Sequence, residues 1–308
     1  MEKTVEKCKE APAPADTRKG MLLITMAGVC WATTGIFGTL LFREGLDPVG
    51  VASTRTVAAS VLFFLLLMLP RLHLLRITGK QFVKLALGGL VSIAIFNVFY
   101  MTAIDMLGVS TAVVLLFTAP VFAVLLSRLF LAESVTSEKL VSLLLTFGGV
   151  VMVSEAFHWP SLVEHAAGIF AGLGAGLSFA FLSVFGKHLL GETPQLTANF
   201  YLLFLGAILL AMVYPPWEII QKNPDTTIWI TFAAMVLIST FLSHYCYVTG
   251  LGYMEAGRAS ITVAVEPVAA ILMSFLFLGE RLVAVQYVGI VLVFTGVMLL
   301  RLRHSNRI

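Results

Sequence analysis

Ten runs of predominantly apolar residues, separated by short polar or Pro/Gly-bearing breaks, fill this chain. They lie near residues 20–42, 48–69, 81–103, 107–130, 137–156, 165–188, 194–214, 226–249, 256–278 and 282–302. A run of roughly 20 such residues is what one helix needs to cross a bilayer core. Only helices and closed barrels satisfy every backbone polar group in lipid, and continuous apolar runs are the helical solution. The expected fold is therefore an all-α membrane protein with ten transmembrane helices. Composition agrees, with 59% hydrophobic and 12% charged residues in 308, against roughly 45–50% and about 25% in soluble domains. The intervening loops are too short to hold a soluble domain.

Residues 1–19 mix both charge signs with alanine and proline, which reads as a disordered tail. The run from Met21 to Phe42 exceeds the roughly 7–15 residues of a signal-peptide core, so it is expected to be the first membrane helix. Residues 303–308 form a second short tail. Lysine and arginine set the direction. With the N-terminus inside, the inner segments and their flanks hold about 16 of the 20 basic residues. The outer side keeps Arg43, Lys222 and Arg281, and Arg55 falls within a span. Both termini are expected to be cytoplasmic.

The second half repeats the first. At an offset of 147 positions, Tyr100, Pro120, Ser127, Glu133, Phe147 and Gly149 fall on Tyr247, Pro267, Ser274, Glu280, Phe294 and Gly296. About 17 of roughly 54 residues coincide across that stretch. Two units follow, 20–156 and 165–302, each with five helices. An odd number of spans forces the second copy to enter the membrane upside down. Inverted repeats place a site near the bilayer midplane, at the seam between the halves, and let one bundle rock against the other.

Ionisable and polar groups inside a bilayer cost about 2.5–3.5 kcal/mol on insertion scales, so the few present here are the candidate site. Glu266 lies mid-span directly before Pro267, and Pro120 is its counterpart without an acid, since Ala119 stands at the matching position. Both prolines remove a helix hydrogen bond and mark helix breaks. A carboxylate beside such a break suits a cationic group or a proton; the alternative is a structural acid held by a neighbouring donor. Arg55 either neutralises Glu266 or binds a substrate carboxylate, unless it snorkels to the outer interface. Asn97 and His244 occupy equivalent places, and His244 reads equally as a titrating group and as an interhelical donor. Tyr100 and Tyr247 lie one turn from them. Trp31 with Thr34, and Phe179 with Ser183, are the corresponding aromatic–hydroxyl pairs of spans one and six. Such pairs suit an amphipathic or aromatic solute, with packing as the plainer reading. Tyr201 matches Arg55 to within one residue of offset. Gly168, Gly172 and Gly176 recur every fourth position and read as a close-packing face. Glu133 and Glu280 are expected to organise short turns.

No metal site or cofactor is expected: Cys8, Cys30 and Cys246 form no cluster and read as inert thiols. No HExxH, G-x-S-x-G or close acid pair occurs within a span, so an enzyme is not expected. A net charge of +3 gives no reason to invoke nucleic acid.

The stretches TAPVFAVLLSRLFLAE (118–133) and VEPVAAILMSFLFLGER (265–281) carry a further signal, together with the SxRxxxA pattern around Arg55 and the Phe-Gly-Gly and Phe-Thr-Gly endings of spans five and ten. In these the chain resembles the EamA family of the drug/metabolite transporter superfamily, over nearly everything after residue 20. The resemblance implies a permease of the bacterial inner membrane that moves a small metabolite, such as an amino acid or its derivative, by alternating access, with efflux as the favoured direction. A flippase for lipid or lipid-linked headgroups, using the same groove, is the alternative. Partners are then a small-molecule substrate, membrane lipids and, through Glu266, protons, with a monomer or weak homodimer left open.

Overall fold

The computed structural model describes residues 14–68, 72–155, 165–221, 225–279 and 281–302. The expected tails, apart from the stretch from Pro14 onward, and Glu280 lie outside them. Among the described residues the chain is helical, with no strand. The long helices are α1 (Pro14–Arg43), α2 (Pro48–Met68), α3 (Gly79–Leu107), α4 (Val109–Leu116 and Ala119–Phe130), α5 (Ser137–Val153) and α6 (Ala166–Leu190). They continue with α7 (Gln195–Val213), α8 (Thr226–Leu251), α9 (Ala256–Thr262 running on into Val265–Met273) and α10 (Ala284–Leu302). Eight of them are long and apolar enough to cross a membrane; α5, with 17 residues, and the apolar stretch Ala284–Leu300 of α10 are shorter.

Local chemistry sets where several helices begin. Asp47 accepts from the Gly50 backbone N–H at 2.7 Å ahead of α2. Thr78 and Gln81 form a reciprocal capping box at α3, and Asp225 caps α8 through Ile228 N–H at 2.9 Å. Each satisfies donors that a first helical turn otherwise leaves unpaired.

Two kinds of irregularity recur at matching places. π-Helical segments interrupt α3 at Leu90–Ile95 and α8 at Met235–Leu242, and adding 147 to the first range gives 237–242. Helix breaks fall at 117–118 in α4 and 263–264 in α9, just ahead of Pro120 and Pro267. The breaks lie two to four residues to the N-terminal side of the two prolines. Proline lacks an N–H and crowds the carbonyl four residues back, so the turn that yields is the one before it.

Packing follows the same correspondence. α1 packs on α8 and α9, as α6 packs on α3 and α4. α2 packs on α8, as α7 packs on α3, while α2–α7, α4–α9 and α5–α10 are mutual pairs. Exchanging α1–α5 for α6–α10 leaves this scheme unchanged. Glycine permits the tightest approaches. A methyl group on Gly28 of α1 would lie 2.8 Å from Val265 Cγ1 beside the α9 break, and one on Gly176 of α6 would lie 2.7 Å from Thr118 Oγ1 beside the α4 break. Gly168 and Gly172 likewise press on Leu107 and Leu115, so that glycine series packs as expected.

Candidate functional site: charged and polar groups beside a wall of aromatic rings

Trp31 stands at the centre of the site. Its indole meets Phe179 of α6 at 5.6 Å, His244 of α8 at 5.5 Å and Tyr247 of α8 at 5.1 Å between ring centroids. Phe179 and Tyr247 are 5.6 Å apart. Phe96 of α3 extends the wall, 6.2 Å from Phe179 and stacked at 5.7 Å on Tyr100. Edge-to-face and offset ring pairs of this kind bind rigidly to one another and leave a firm apolar surface. Tyr247 is fully buried and shares a 2.6 Å hydrogen bond with Ser183, whose hydroxyl also lies 3.2 Å from the Phe179 carbonyl.

Charged groups face this wall. Arg55 of α2, Tyr100 of α3 and Glu266 of α9 lie within electrostatic range of one another, His244 within range of Arg55, and Tyr247 within range of Glu266. No direct ion pair joins Arg55 to Glu266 among the described residues. Arg55 donates one hydrogen bond, to Thr240 Oγ1 at 3.3 Å. Arg55, Tyr100, His244 and Glu266 are each half-buried, as are Trp31 and Phe179. An arginine has five N–H donors in a fixed fork. With one turned to Thr240, the others remain for a planar anion, and the Glu266 carboxylate remains for a cation.

The structure thus brings together Arg55, Glu266, Tyr100, His244, Tyr247, Trp31, Phe179 and Ser183 from six helices. Three expected residues stand apart. Tyr201 sends its hydroxyl to the Leu75 carbonyl at 2.8 Å, in the turn after α2, and so ties that turn down. Asn97 is buried, and its amide donates to the Ile93 carbonyl at 2.7 Å. His244 makes the matching contact to the Thr240 carbonyl at 3.1 Å; both bonds reach back four residues into a π segment. Thr34 is half-buried without a side-chain hydrogen bond among the described residues, whereas its neighbour Thr33 pairs with Ser239 of α8 at 2.7 Å. Thr240 and Phe96 are site residues that the sequence did not single out.

An all-helical body with membrane-length apolar helices that gather polar and aromatic side chains is that of a multi-pass membrane protein. The model of the EamA-like transporter family matches residues 18–155 and again 166–302, and the chain belongs to that family. It is 29% identical to an uncharacterized transporter of Archaeoglobus fulgidus over 82% of this chain and 88% of that one. It is 22% identical to the uncharacterized inner membrane transporter YicL of Salmonella typhimurium, over 94% of this chain and 98% of that one. A solved crystal structure superposes with a TM-score of 0.79 at 16% identity, covering 93% of this chain and 98% of the other, which is a likeness of fold.

Proposed function

We propose that the protein is a secondary carrier that moves a small metabolite with both an anionic and a cationic group, such as an amino acid or its derivative, across the inner membrane by alternating access. The observation that carries this reading is the pair Arg55 and Glu266, which are mutually within electrostatic range, half-buried, unpaired with each other and set against a wall of aromatic rings. Unpaired charges inside an apolar bundle are costly unless something fills their coordination. A substrate carboxylate on Arg55 and a substrate ammonium on Glu266 would fill it, and an apolar or aromatic substituent would rest on Trp31 and Phe179. In this reading ten helices cross the bilayer as two inverted halves, both termini are cytoplasmic and efflux is the physiological direction. Support comes from the interhelix packing scheme, which survives exchange of the halves, and from the π segments and breaks that recur at the repeat offset.

The test is counterflow into liposomes carrying the purified protein, with neutral, anionic, cationic and zwitterionic solutes compared. Saturable uptake of a zwitterion, lost in both Arg55→Ala and Glu266→Gln, is expected. Uptake that is indifferent to both substitutions would remove the chamber from the transport path.

A further inference from the structure

The chamber is not the only place where charge is buried. Four charged side chains from α4, α5 and α9 meet at the end of the bundle where the α4–α5 and α8–α9 turns lie side by side. Glu133, just past α4, accepts from the backbone N–H groups of Ala256 at 2.8 Å and Gly257 at 3.2 Å, the first residues of α9. Lys139 of α5 is 1% exposed; its ammonium lies 3.7 Å from Glu133 and 3.0 Å from Glu255, and donates to the Ser134 carbonyl at 2.8 Å. Arg258 donates to Glu255 at 2.9 Å and to the Leu300 carbonyl of α10 at 3.3 Å. Two acids and two bases thus form a neutral knot. It spans the seam, since α4 and α5 belong to the first half and α9 and α10 to the second.

Among the described residues the opposite end has no such knot. At the repeat offset Lys139 corresponds to Gln286, Arg258 to Thr111 and Glu255 to Gly108, while Glu133 corresponds to Glu280, which lies outside the described residues. Exposure differs in the same sense. Ala256, which opens the second part of the bundle at the knotted end, is 0% exposed, whereas its counterpart Val109 at the start of α4 is 61% exposed. Positions that match in sequence are therefore sealed at one end and open at the other.

We propose that the Glu133–Lys139–Glu255–Arg258 knot is the gate that closes this end of the chamber, and that the protein rests open toward the α3–α4 end. The inference rests on the alternating-access reading above, and on the topology given there the knot is the cytoplasmic gate. Ion pairs and charge-assisted hydrogen bonds act over a few tenths of an ångström around their optimum lengths. A small separation of α9 from the α4–α5 turn therefore breaks all of them together. While closed they satisfy one another. Once parted, each charge is hydrated by the water that enters, which offsets their loss and makes the element two-state instead of continuously yielding. The opposite end lacks that discrete latch among the described residues, so the two access states are unequal in energy.

The experiment locks the gate with a disulfide. A Cβ on Gly257 would sit 3.3 Å from Ser127 Oγ, a separation that fits a bridged cysteine pair. Ser127→Cys with Gly257→Cys, in a Cys8→Ser background, is assayed by counterflow of a zwitterionic amino acid. The reduced form should transport, oxidation should cut flux by at least about tenfold, and reductant should restore it. Undiminished flux with the disulfide confirmed by mass would overturn the gate, while absence of flux in the unsubstituted protein would count against the transport reading instead. If the reduced variant itself is inactive, Ser260→Cys decides. Ser260 is 0% exposed, one turn along α9 from the knot. Its alkylation by a membrane-impermeant maleimide from the knotted side should rise about tenfold or more when Lys139→Met is added. An unchanged rate in a folded Lys139→Met protein refutes the proposal.

Discussion

Arg55 on α2 is held by Thr240 on the π segment of α8, through a 3.3 Å hydrogen bond from its guanidinium to the threonine hydroxyl. The same threonine gives its carbonyl to His244, so one residue on a widened turn orients both basic groups of the chamber. π-Helical turns leave carbonyls and side chains displaced from the ordinary ladder and are frequent at functional sites. The counterpart in the first half is Ile93, which keeps the carbonyl bond to Asn97 but has no hydroxyl to offer. The hydroxyl that orients the basic side of the chamber is consequently present in the second half alone.

Thr240→Val keeps the shape and removes the hydroxyl, leaving Arg55 free to swing. A hydrogen bond to a charged group is worth about 1.5–3 kcal/mol, so the KM for a carboxylate-bearing substrate should rise about tenfold while the maximal rate changes little. Thr240→Ser should restore it. Transport kinetics of the three proteins side by side make the check, and an equal rise in KM for a substrate without a carboxylate would deny Thr240 its positioning role.

How far the sequence shows this site depends on helical phase. Trp31, Phe179, Ser183 and Tyr247 are visible because they are polar or aromatic groups in apolar runs that match across the repeat, and Glu266 because it is an acid in mid-span beside a matching proline. Thr240 is not, because isolated hydroxyls are common in membrane helices and the inserted π turn rotates everything beyond it relative to a regular 3.6-residue helix. Tyr201 fails for a related reason: it matches Arg55 at an offset of 146 instead of 147, and one residue of slip turns a side chain by about 100° on a helix. Glu133 shows a different limit. Its spacing suggests a local turn, but its carboxylate caps a helix 123 residues away, and nothing local encodes that reach. The helices themselves, set by apolar run length, start and stop close to the expected positions, except that α1 begins at Pro14 instead of residue 20.

The Ser183–Tyr247 hydrogen bond separates shape from polarity. Tyr247→Phe loses the 2.6 Å bond, but the Ser183 hydroxyl keeps the Phe179 carbonyl, so stability should fall by about 1 kcal/mol. Tyr247→Ala also removes a fully buried ring from between Trp31 and Phe179 and should cost about 3–5 kcal/mol. Reversible unfolding in mixed micelles measures both, and equal losses would mean that the hydroxyl, not the ring, holds this wall.

Outside the membrane helices, the turn between α6 and α7 carries a pH-dependent contact. Lys84 donates to Glu192 at 2.6 and 2.8 Å, and that bond is the main cause holding the Glu192 carboxyl below its ordinary value of 4.5. A lowered pKa in the fold means that the contribution is complete above the unfolded value and fades as pH falls through the folded one. Both groups are over a third exposed, so the effect is small and weakened by salt. The melting temperature of the unsubstituted protein should exceed that of Lys84→Met at pH 6–7 and low salt, and the gap should close as pH falls below 4.5 and through the lowered folded value. A gap that persists at acid pH would assign the effect to packing of the lysine stem.

Two glycines give opposite expectations for one substitution. A methyl group on Gly89 of α3 would lie 2.7 Å from the Leu202 carbonyl oxygen and 2.8 Å from the Gly206 nitrogen of α7, while one on Gly148 of α5 meets nothing within 4 Å. The obstacles at Gly89 are backbone atoms of a facing helix, which cannot rotate away as a side chain can. Gly89→Ala must push α3 off α7, at a cost of about 1–3 kcal/mol or more, and α3 carries Phe96 and Tyr100 into the chamber wall. Gly148→Ala only reduces the freedom of the unfolded chain and should stabilise by about 0.4–1 kcal/mol. Thermal melts of the two variants give the answer directly, and a Gly89→Ala protein as stable as the parent would show that α3 and α7 do not pack backbone to backbone.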